Sequence, residues 1–506
     1  MSKPSRSPAS SPPPAANRPQ QRLAAVFGGR HVAVGPRITP PLDGPADFEP
    51  VNEDSNSAYL AKQLEDEAGN GIQYRTCSWQ KTAYLLFSEY ICLAIMSFPW
   101  SYSVLGLVPG LILTAVVAAI VLYTSLVLWQ FCLRHPEVRD VCDIGQMLFW
   151  GNKWAWWATA VMFILNNTFI QGLHVLVGAE YINTMTASDS VGGCRTVSFS
   201  IAVAGLGWIA SLPRTFSVLS RLGFWSALFT FVSVMLATIF AGLQDHPAGY
   251  TKELGNPIVN AFPANTKFTV GVAAFLNISY TFIGQITLPS FIAEMRDPRD
   301  FPKSLWACTI AEVIVFSVVG AIIYAFVGDQ YMTSPAFGSL DVLYKKVSYS
   351  FMIPTIIFLG CLYASVTGRF IFFRLFQNSR HMTDHTVVGW ASWAGILLGT
   401  WILAFLISQV IPFFNSLLAV MSSLFDCWFG FIFWGIAYLR MRKADRKAGK
   451  YQEPIWDNMS LGLNIGIILI GVFFLTVGTW ASVQGIIDEY DAGTVNGAFS
   501  CASNGL

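Results

Sequence analysis

The sixth long apolar run of this chain is interrupted by residues 279–289, SYTFIGQITLP. Gly284 and Pro289 both disfavour a continuous helix there, because glycine is flexible and proline lacks a backbone donor. A second interruption, IMSFPW at residues 95–100, lies in the first apolar run and contains Pro99. In a bilayer, non-helical backbone persists only where it lines a protein cavity. The two interruptions therefore indicate an internal site, although glycine and proline also form ordinary kinks in membrane helices.

The composition of the whole chain agrees with a membrane location. Of its 506 residues, 54% are hydrophobic and 12% are charged, whereas soluble domains carry about 25% charged residues. The mean hydropathy is +0.50, and soluble domains cannot bury that much apolar surface. The net charge of +1 lacks the basic excess of nucleic-acid-binding proteins. The sequence therefore predicts a polytopic protein in the lipid bilayer with no nucleic-acid partner.

Eleven apolar segments can be placed as membrane helices, which need about 20 residues each. They are Thr82–Leu105, Val108–Leu133, Trp154–Thr184, Ser198–Leu212, Leu222–Gly242, Phe268–Ala293, Ser304–Val327, Ser350–Phe373, Val387–Ile411, Phe413–Leu439 and Leu461–Ile487. The predicted fold is all-α with about 11 transmembrane helices, of which the fourth is the shortest. If the first ten form two five-helix halves, broken helices 1 and 6 occupy corresponding positions. Such a pair is typical of inverted-repeat transporters with a site near the midplane.

Basic residues alternate between the predicted loops. The loops after the even-numbered spans contain 16 lysines and arginines, and the loops between them contain 5. Because cytoplasmic loops retain such residues, the N-terminus is predicted to be cytoplasmic and the C-terminus extracellular. The predicted segments are a disordered tail over residues 1–81, where proline-rich composition disfavours folding, a transmembrane domain over 82–487 and an extracellular tail over 488–506.

The nine cysteines show no C-x-x-C pair and no cluster with histidine, so the sequence predicts no metal site and no cofactor. Cys194 and Cys501 both fall in predicted extracellular segments and could form a disulfide. The predicted flexibility of the C-terminal tail argues against that pairing.

Three polar stretches carry a family resemblance: SWQKTA at residues 78–83, CLRHPEVRDVCDIGQ at 132–146 and FIAEMRDPRDFP at 291–302. In these stretches the chain resembles the amino acid/auxin permease family, also called the amino acid/polyamine transporter 2 family. It resembles in particular the fungal neutral amino acid permeases of the methyltryptophan-resistance type. The resemblance covers roughly residues 79–487. It implies the five-plus-five inverted-repeat fold and ion-coupled uptake of amino acids.

The resemblance places the substrate between the two helix breaks. The implied substrate-binding residues are Ser88, Ile91, Cys92, Leu93, Ala94 and Met96 in helix 1, and Asn277, Ser279, Tyr280, Thr281, Phe282, Gly284 and Gln285 in helix 6. Free N–H groups and carbonyls at such breaks suit the carboxylate and ammonium groups of an amino acid. Because no charged pair is evident for a substrate side chain, a neutral aliphatic or aromatic amino acid is favoured.

Ionisable residues within membrane helices are candidates for ion coupling. Glu89, beside the break of helix 1, is the first candidate for proton carrier, and a structural contact with Arg369 or with backbone is the alternative. Ser365 and Thr367 in helix 8 offer hydroxyl oxygens that suit sodium. The proton is favoured because fungal members of the family are usually described as proton symporters.

Four further ionisable residues in the spans receive lesser roles. Glu180 and Glu312 are interpreted as structural or snorkelling residues near span ends, and His174 as a neutral packing residue. Asp426 is undecided.

The predicted function is therefore transport and not enzymatic catalysis: proton-coupled symport of a neutral amino acid by alternating access at the plasma membrane. One alternative is a vacuolar or efflux carrier of an amino acid or an amino-acid-derived metabolite. An alternative of another class is a nutrient sensor with a transporter fold.

Overall fold

The computed structural model describes residues 18–29, 31–39, 77–186, 194–214, 216–263, 265–376, 379–383, 386–449, 454–493 and 497–506. Its α-helices are α1 Arg18–Phe27, α2 Trp79–Tyr90, α3 Phe98–Leu105, α4 Leu107–Arg134, α5 Val141–Leu148, α6 Lys153–Met185, α7 Arg195–Ser211, α8 Phe216–Leu243, α9 Phe268–Phe282, α10 Leu288–Glu294, α11 Phe301–Val327, α12 Val342–Ser350, α13 Ile353–Leu375, α14 Arg380–Thr383, α15 Val387–Val410, α16 Phe414–Met421, α17 Phe433–Lys447, α18 Pro454–Phe473 and α19 Thr479–Asp491. Two π-helical stretches, Ser422–Ile432 and Phe474–Gly478, join α16 to α17 and α18 to α19.

Within these described ranges, eight helices are long and apolar enough to cross a membrane, and nine if the bent pair α2 and α3 is one span. The predicted all-helical membrane fold is confirmed, whereas the count of eleven is not. The difference lies in the fourth and sixth predicted spans. They correspond to α7, with 17 residues, and α9, with 15 residues, both shorter than the roughly 20 residues that cross a bilayer untilted.

Helix 1 is broken before its proline. Helix α2 ends at Tyr90, Cys92 is fully extended (φ −127°, ψ 179°), and a 3₁₀ turn over Leu93–Ser97 leads into α3. The two halves are bent by 46°. Pro99 lies in the first turn of α3, where a missing backbone donor has no cost. The proline therefore begins the second half-helix, and the break precedes it.

Helix 6 is broken in the same way. Helix α9 ends at Phe282, residues 283–287 are not helical, and Pro289 lies in the first turn of α10. Both predicted breaks are thus present, each with a proline at the start of the second half. The ends of α9 and α10 leave backbone groups without helical partners inside the protein.

The spanning helices pack in two groups around these breaks. Helix α11 packs against α2, α3 and α4, and α9 packs against α3 and α4. Helix α6 packs against α7, α13 and α15. The broken helices therefore lie beside one helix group and face a second group that contains α6 and α13.

Part of the predicted N-terminal tail packs on the helix ends. The Trp306 Nε1 donates to the carbonyl of Val26 (3.0 Å), and the Phe27 ring stacks on Trp306 with centroids 5.4 Å apart. The amide of Gly29 donates to the carbonyl of Arg299 (3.0 Å). Val26, Phe27 and Gly29 thus find partners at the start of α11. Residues 1–17 and 40–76 lie outside the described residues.

A second contact of this tail lies at the end of α4. The amide of Ile38 donates to Nε2 of His135 (3.2 Å), and burial lowers the pKa of His135, which keeps the ring a neutral acceptor. The Arg134 guanidinium donates to the carbonyl of Pro36 (3.3 Å) and to both oxygens of Asp445 (2.9 Å each). This bidentate pair joins the ends of α4 and α17.

The C-terminal tail is fastened to the ends of α6 and α7. Cys194 and Cys501 form a disulfide, so the expectation that a flexible tail would prevent this pairing is wrong. The Nδ2 of Asn183 donates to Oδ1 of Asn504 (2.6 Å), and the amide of Leu506 donates to Oγ1 of Thr184 (3.0 Å). These contacts hold the C-terminal tail where Cys501 meets Cys194, although the two cysteines are 307 residues apart in sequence.

Replacing Cys501 with serine is expected to lower the apparent Tm of the purified protein by roughly 3–8 °C, since a disulfide typically contributes about 2–4 kcal/mol. Peptide mapping without reduction should show the Cys194–Cys501 cross-link in the wild type. Cys77→Ser, which alters a cysteine outside the disulfide, is the control and should retain the cross-link. A wild-type map without the cross-linked peptide would contradict the pairing.

Candidate binding site between the broken helices

A cavity separates the two helix breaks from the second helix group. It encloses about 720 Å³ of space not filled by atoms, with open solvent at its mouth included. Its walls are Glu89, Tyr90, Cys92, Leu93 and Ala94 at the first break, Tyr280, Thr281, Ile283, Gly284 and Ile286 at the second, and Asn166, Ile170, Leu173, His174, Leu359, Tyr363, Asp426 and Phe429 on the facing helices. Most of these groups are apolar or aromatic, as is typical of small-molecule sites.

The predicted site residues divide between this cavity and other places. Those that line it are Glu89, Cys92, Leu93, Ala94, Tyr280, Thr281 and Gly284. Those that do not are Ser88, Ile91, Met96, Asn277, Ser279, Phe282, Gln285, Ser365 and Thr367. The structure therefore brings seven of the predicted residues together at the cavity and places the other nine outside its wall.

Two of the residues outside the cavity wall make contacts within or between helices. The Ser88 hydroxyl donates to the carbonyl of Leu85 within its own helix (2.8 Å). The Phe282 ring packs edge-on against Phe98, with centroids 6.2 Å apart. Both positions follow from helical periodicity, because only one face of each half-helix can meet the cavity.

Two amide side chains of helix 6 bind neighbouring helices. The Nε2 of Gln285 donates to Oγ1 of Thr124 on α4 (3.1 Å), and the Nδ2 of Asn277 donates to Oδ1 of Asn415 on α16 (3.0 Å). Gln285 thus joins the second break to α4. The hydroxyls of Ser279, Ser365 and Thr367 are buried and have no hydrogen-bond partner among the described residues.

The carboxylate of Glu89 joins both breaks to the facing helices. Thr287, at the end of the second break, has its hydroxyl 2.9 Å from each oxygen of Glu89, and the Tyr363 hydroxyl of α13 donates to Oε1 (2.9 Å). Glu89 is only 6% exposed. The suggested structural partner Arg369 donates to the carbonyl of Arg214 (2.8 Å). In the described part of the chain, neither lysine nor arginine lines the cavity.

Gly284 of the second break packs closely against Tyr90, the last residue of α2 before the first break. A Cβ atom at this position would lie 2.6 Å from both Cζ and Oη of Tyr90. Any side chain there would displace the tyrosine ring, so the approach of the two breaks depends on glycine.

The third and tenth spans contribute residues that the sequence analysis did not place in the site. Asn166, Ile170, Leu173 and His174 share one face of α6 through spacings of four, seven and eight residues. Asn166 and His174, the polar residues at the ends of this series, lie within an apolar span, and this pattern could have marked the face as part of the site. Asp426 lies in the π-helical stretch, and its buried Oδ2 has no hydrogen-bond partner among the described groups.

Comparison with known proteins agrees with this architecture. A family model described as transmembrane amino acid transporter protein matches residues 75–484. The chain belongs to this family, the amino acid/auxin permease family. An N amino acid transport system protein of Neurospora crassa is 31% identical over 445 residues, which cover 88% of this chain and 92% of the relative. Family membership supports amino acid transport across a membrane.

Two further similarities concern a fungal relative and a solved fold. A protein of Gibberella moniliformis named transmembrane transporter is 30% identical over 88% of this chain and 91% of its own length. The crystal structure of MhsT in complex with L-phenylalanine matches with a TM-score of 0.51 at 12% identity, covering 81% of this chain and all of that one. At this identity the match concerns the fold alone, and it fits the predicted inverted-repeat class with broken helices 1 and 6.

Proposed function

We propose that this family member is a secondary active transporter that couples the entry of a neutral amino acid to the entry of protons by alternating access. The observation that carries the proposal is the Glu89 carboxylate, which contacts Thr287 at the second break and Tyr363 on α13. The buried carboxylate of Glu89, beside the first break, is thus hydrogen-bonded both to the second break and to helix α13.

The substrate class follows from the cavity walls. Backbone groups at the ends of α2, α9 and α10 suit the charged ends of any amino acid, whereas Ile170, Leu173, Leu359, Tyr280 and Phe429 suit an apolar or aromatic side chain. An acidic substrate side chain would find no lysine or arginine among the described lining residues. The oxygens of Glu89 are already hydrogen-bonded, which disfavours their use by a cationic side chain. Asp426, whose Oδ2 has no hydrogen-bond partner among the described groups, is the other acid of the cavity wall, and the lysine arm of the uptake test below decides whether it binds a cationic side chain.

The coupling ion is inferred from charge balance. An ionised carboxylate in a membrane interior without a basic partner is unfavourable, so a proton on Glu89 would neutralise it. Gaining or losing that proton changes which of Thr287 and Tyr363 can donate to the carboxyl group. Proton binding would therefore alter the contacts between the breaks and α13, which is what coupling requires.

Sodium is the second candidate because Ser365 and Thr367 on α13 have buried hydroxyls that find no hydrogen-bond partner in the described part of the chain. Hydroxyl and carbonyl oxygens are suitable ligands for a hard cation. Neither hydroxyl lines the cavity, however, whereas Glu89 does. This difference favours the proton.

The distribution of basic loop residues supports a cytoplasmic N-terminus, and uptake across the plasma membrane is the proposed direction. A vacuolar or efflux carrier is the runner-up within transport. A nutrient sensor would be distinguished by deleting the N-terminal tail, since signalling would then be lost while uptake persisted.

The test is uptake of labelled leucine, phenylalanine, lysine and glutamate into proteoliposomes under imposed proton or sodium gradients. Leucine or phenylalanine should accumulate with an inward proton gradient, and lysine and glutamate should not. Uptake that needs sodium and ignores the proton gradient would overturn proton coupling. Accumulation of lysine or glutamate alone would overturn the neutral substrate class.

A further inference from the structure

A second, smaller cavity lies behind the first break, on the side of α11. It encloses about 260 Å³ of space not filled by atoms, open margins included. Its polar lining comes from Tyr90 in α2, Ser125 in α4, and Cys308, Thr309 and Glu312 in α11. Tyr90 lines both cavities, so a single side chain connects the binding cavity to this one.

Glu312 is the acidic group of the second cavity. It is 3% exposed and lies near the middle of α11, which spans residues Phe301–Val327. Its hydrogen bond within the described structure is to the Cys308 thiol, with Sγ and Oε1 3.6 Å apart, and a thiol is a weak donor. Within the described structure, Glu312 therefore has no strong hydrogen-bond partner that would account for its burial. The sequence interpretation of Glu312 as a structural residue near a span end would require such a partner.

One further polar group of this cavity lacks a hydrogen-bond partner among the described residues. It is the buried hydroxyl of Ser125. No lysine, arginine or histidine lines the second cavity in the described ranges. Glu312 and Ser125 thus share one cavity, and a water that enters it beside the carboxyl group can accept or return its proton.

The titratable neighbours of Glu312 come mainly from the first break. Tyr90 and Cys92 interact electrostatically with it from that side, and Cys308 does so from its own helix. Helices α4 and α9 contribute Ser125 and Phe282, which do not titrate in the working range. Glu89 lines the binding cavity, Glu312 lines the second cavity, and Tyr90 lines both.

We propose that Glu312 is a second proton-binding site of this transporter, occupied and emptied in each cycle together with the site at Glu89. The inference rests on the proposed proton coupling. In the unloading step the O–H bond of the Glu312 carboxyl group breaks, its proton passes to a water in the second cavity, and the carboxylate keeps the electron pair. Loading is the reverse. Tyr90 links the two sites because its ring borders both cavities and packs against Gly284 of the second break.

The test measures protons and amino acid moved together by the full-length protein in proteoliposomes, with a pH-sensitive dye and labelled leucine or phenylalanine. The wild type is expected to move close to two protons per amino acid. Glu312→Gln should retain substrate binding and lower this ratio about twofold. Glu180→Gln, which changes a buried carboxyl group that lines neither described cavity, is the matched control and should keep the wild-type ratio.

The outcomes separate this inference from the function on which it rests. A wild-type ratio of one proton per amino acid overturns the second site and leaves proton coupling intact, even if Glu312→Gln fails to fold. A folded Glu312→Gln protein with the wild-type ratio also overturns it. Sodium-driven uptake without proton movement overturns the proposed coupling itself. Retention of the ratio in Glu312→Asp together with its loss in Glu312→Gln would support a titrating carboxyl group.

Discussion

Glu89→Gln is expected to abolish accumulation of amino acid driven by a proton gradient while leaving substrate binding measurable. A gradient of one pH unit stores about 1.4 kcal/mol per proton, enough for about tenfold accumulation. Glutamine can keep hydrogen bonds to Thr287 and Tyr363, which both contact the native carboxylate at 2.9 Å, but it cannot exchange a proton at neutral pH. The accumulation ratio should therefore fall from at least about tenfold toward one, in a proteoliposome assay with an imposed gradient.

Glu180→Gln is the matched control for this experiment. Glu180 is also buried in a spanning helix and is also bonded to a tyrosine, with the Tyr349 hydroxyl 3.3 Å from its Oε2. It lines neither cavity of the described structure. The control should accumulate substrate like the wild type. A Glu89→Gln protein with unchanged dependence on the proton gradient would remove Glu89 as the proton carrier.

The sequence predicted the existence of the two breaks better than their positions. Pro99 and Pro289 attracted attention because proline disrupts a helix interior. In the structure each lies in the first turn of the second half-helix, where it is well tolerated. The non-helical residues precede the prolines by several positions, and the contact of Gly284 with Tyr90 that accompanies the second break is a tertiary one. Local propensity could not reveal it.

The facing wall of the cavity was harder to predict because it depends on which helices meet. The α6 face that runs from Asn166 to His174 follows ordinary helical spacing, and its polar ends could have marked it. The position of Asp426 depends on the π-helical stretch Ser422–Ile432, which shifts the side-chain register relative to an α-helix. The Cys194–Cys501 disulfide likewise depends on docking of the C-terminal tail against α6.

Gly284→Ala is expected to reduce transport about 10- to 100-fold, because one added methyl group would separate the two breaks. Its Cβ would lie 2.6 Å from Cζ and Oη of Tyr90 and 2.9 Å from its Cε1. The Tyr90 ring would have to turn toward one of the two cavities that it borders. Overpacking of this kind typically costs about 1–3 kcal/mol of stability, and the displaced ring would alter both cavities that it borders.

Gly271→Ala separates this steric effect from the general effect of replacing a glycine in helix 6. Gly271 lies in α9, and a Cβ there would meet only Cγ2 of Thr266, at an ordinary 3.7 Å. Alanine is favoured over glycine in a helix interior by about 0.5–1 kcal/mol, so this variant should fold at least as well as the wild type and keep its uptake rate. Uptake and Tm are measured on both variants side by side. Wild-type uptake by Gly284→Ala would show that Tyr90 can yield without loss of function, and the close approach of the breaks would then not be required for transport.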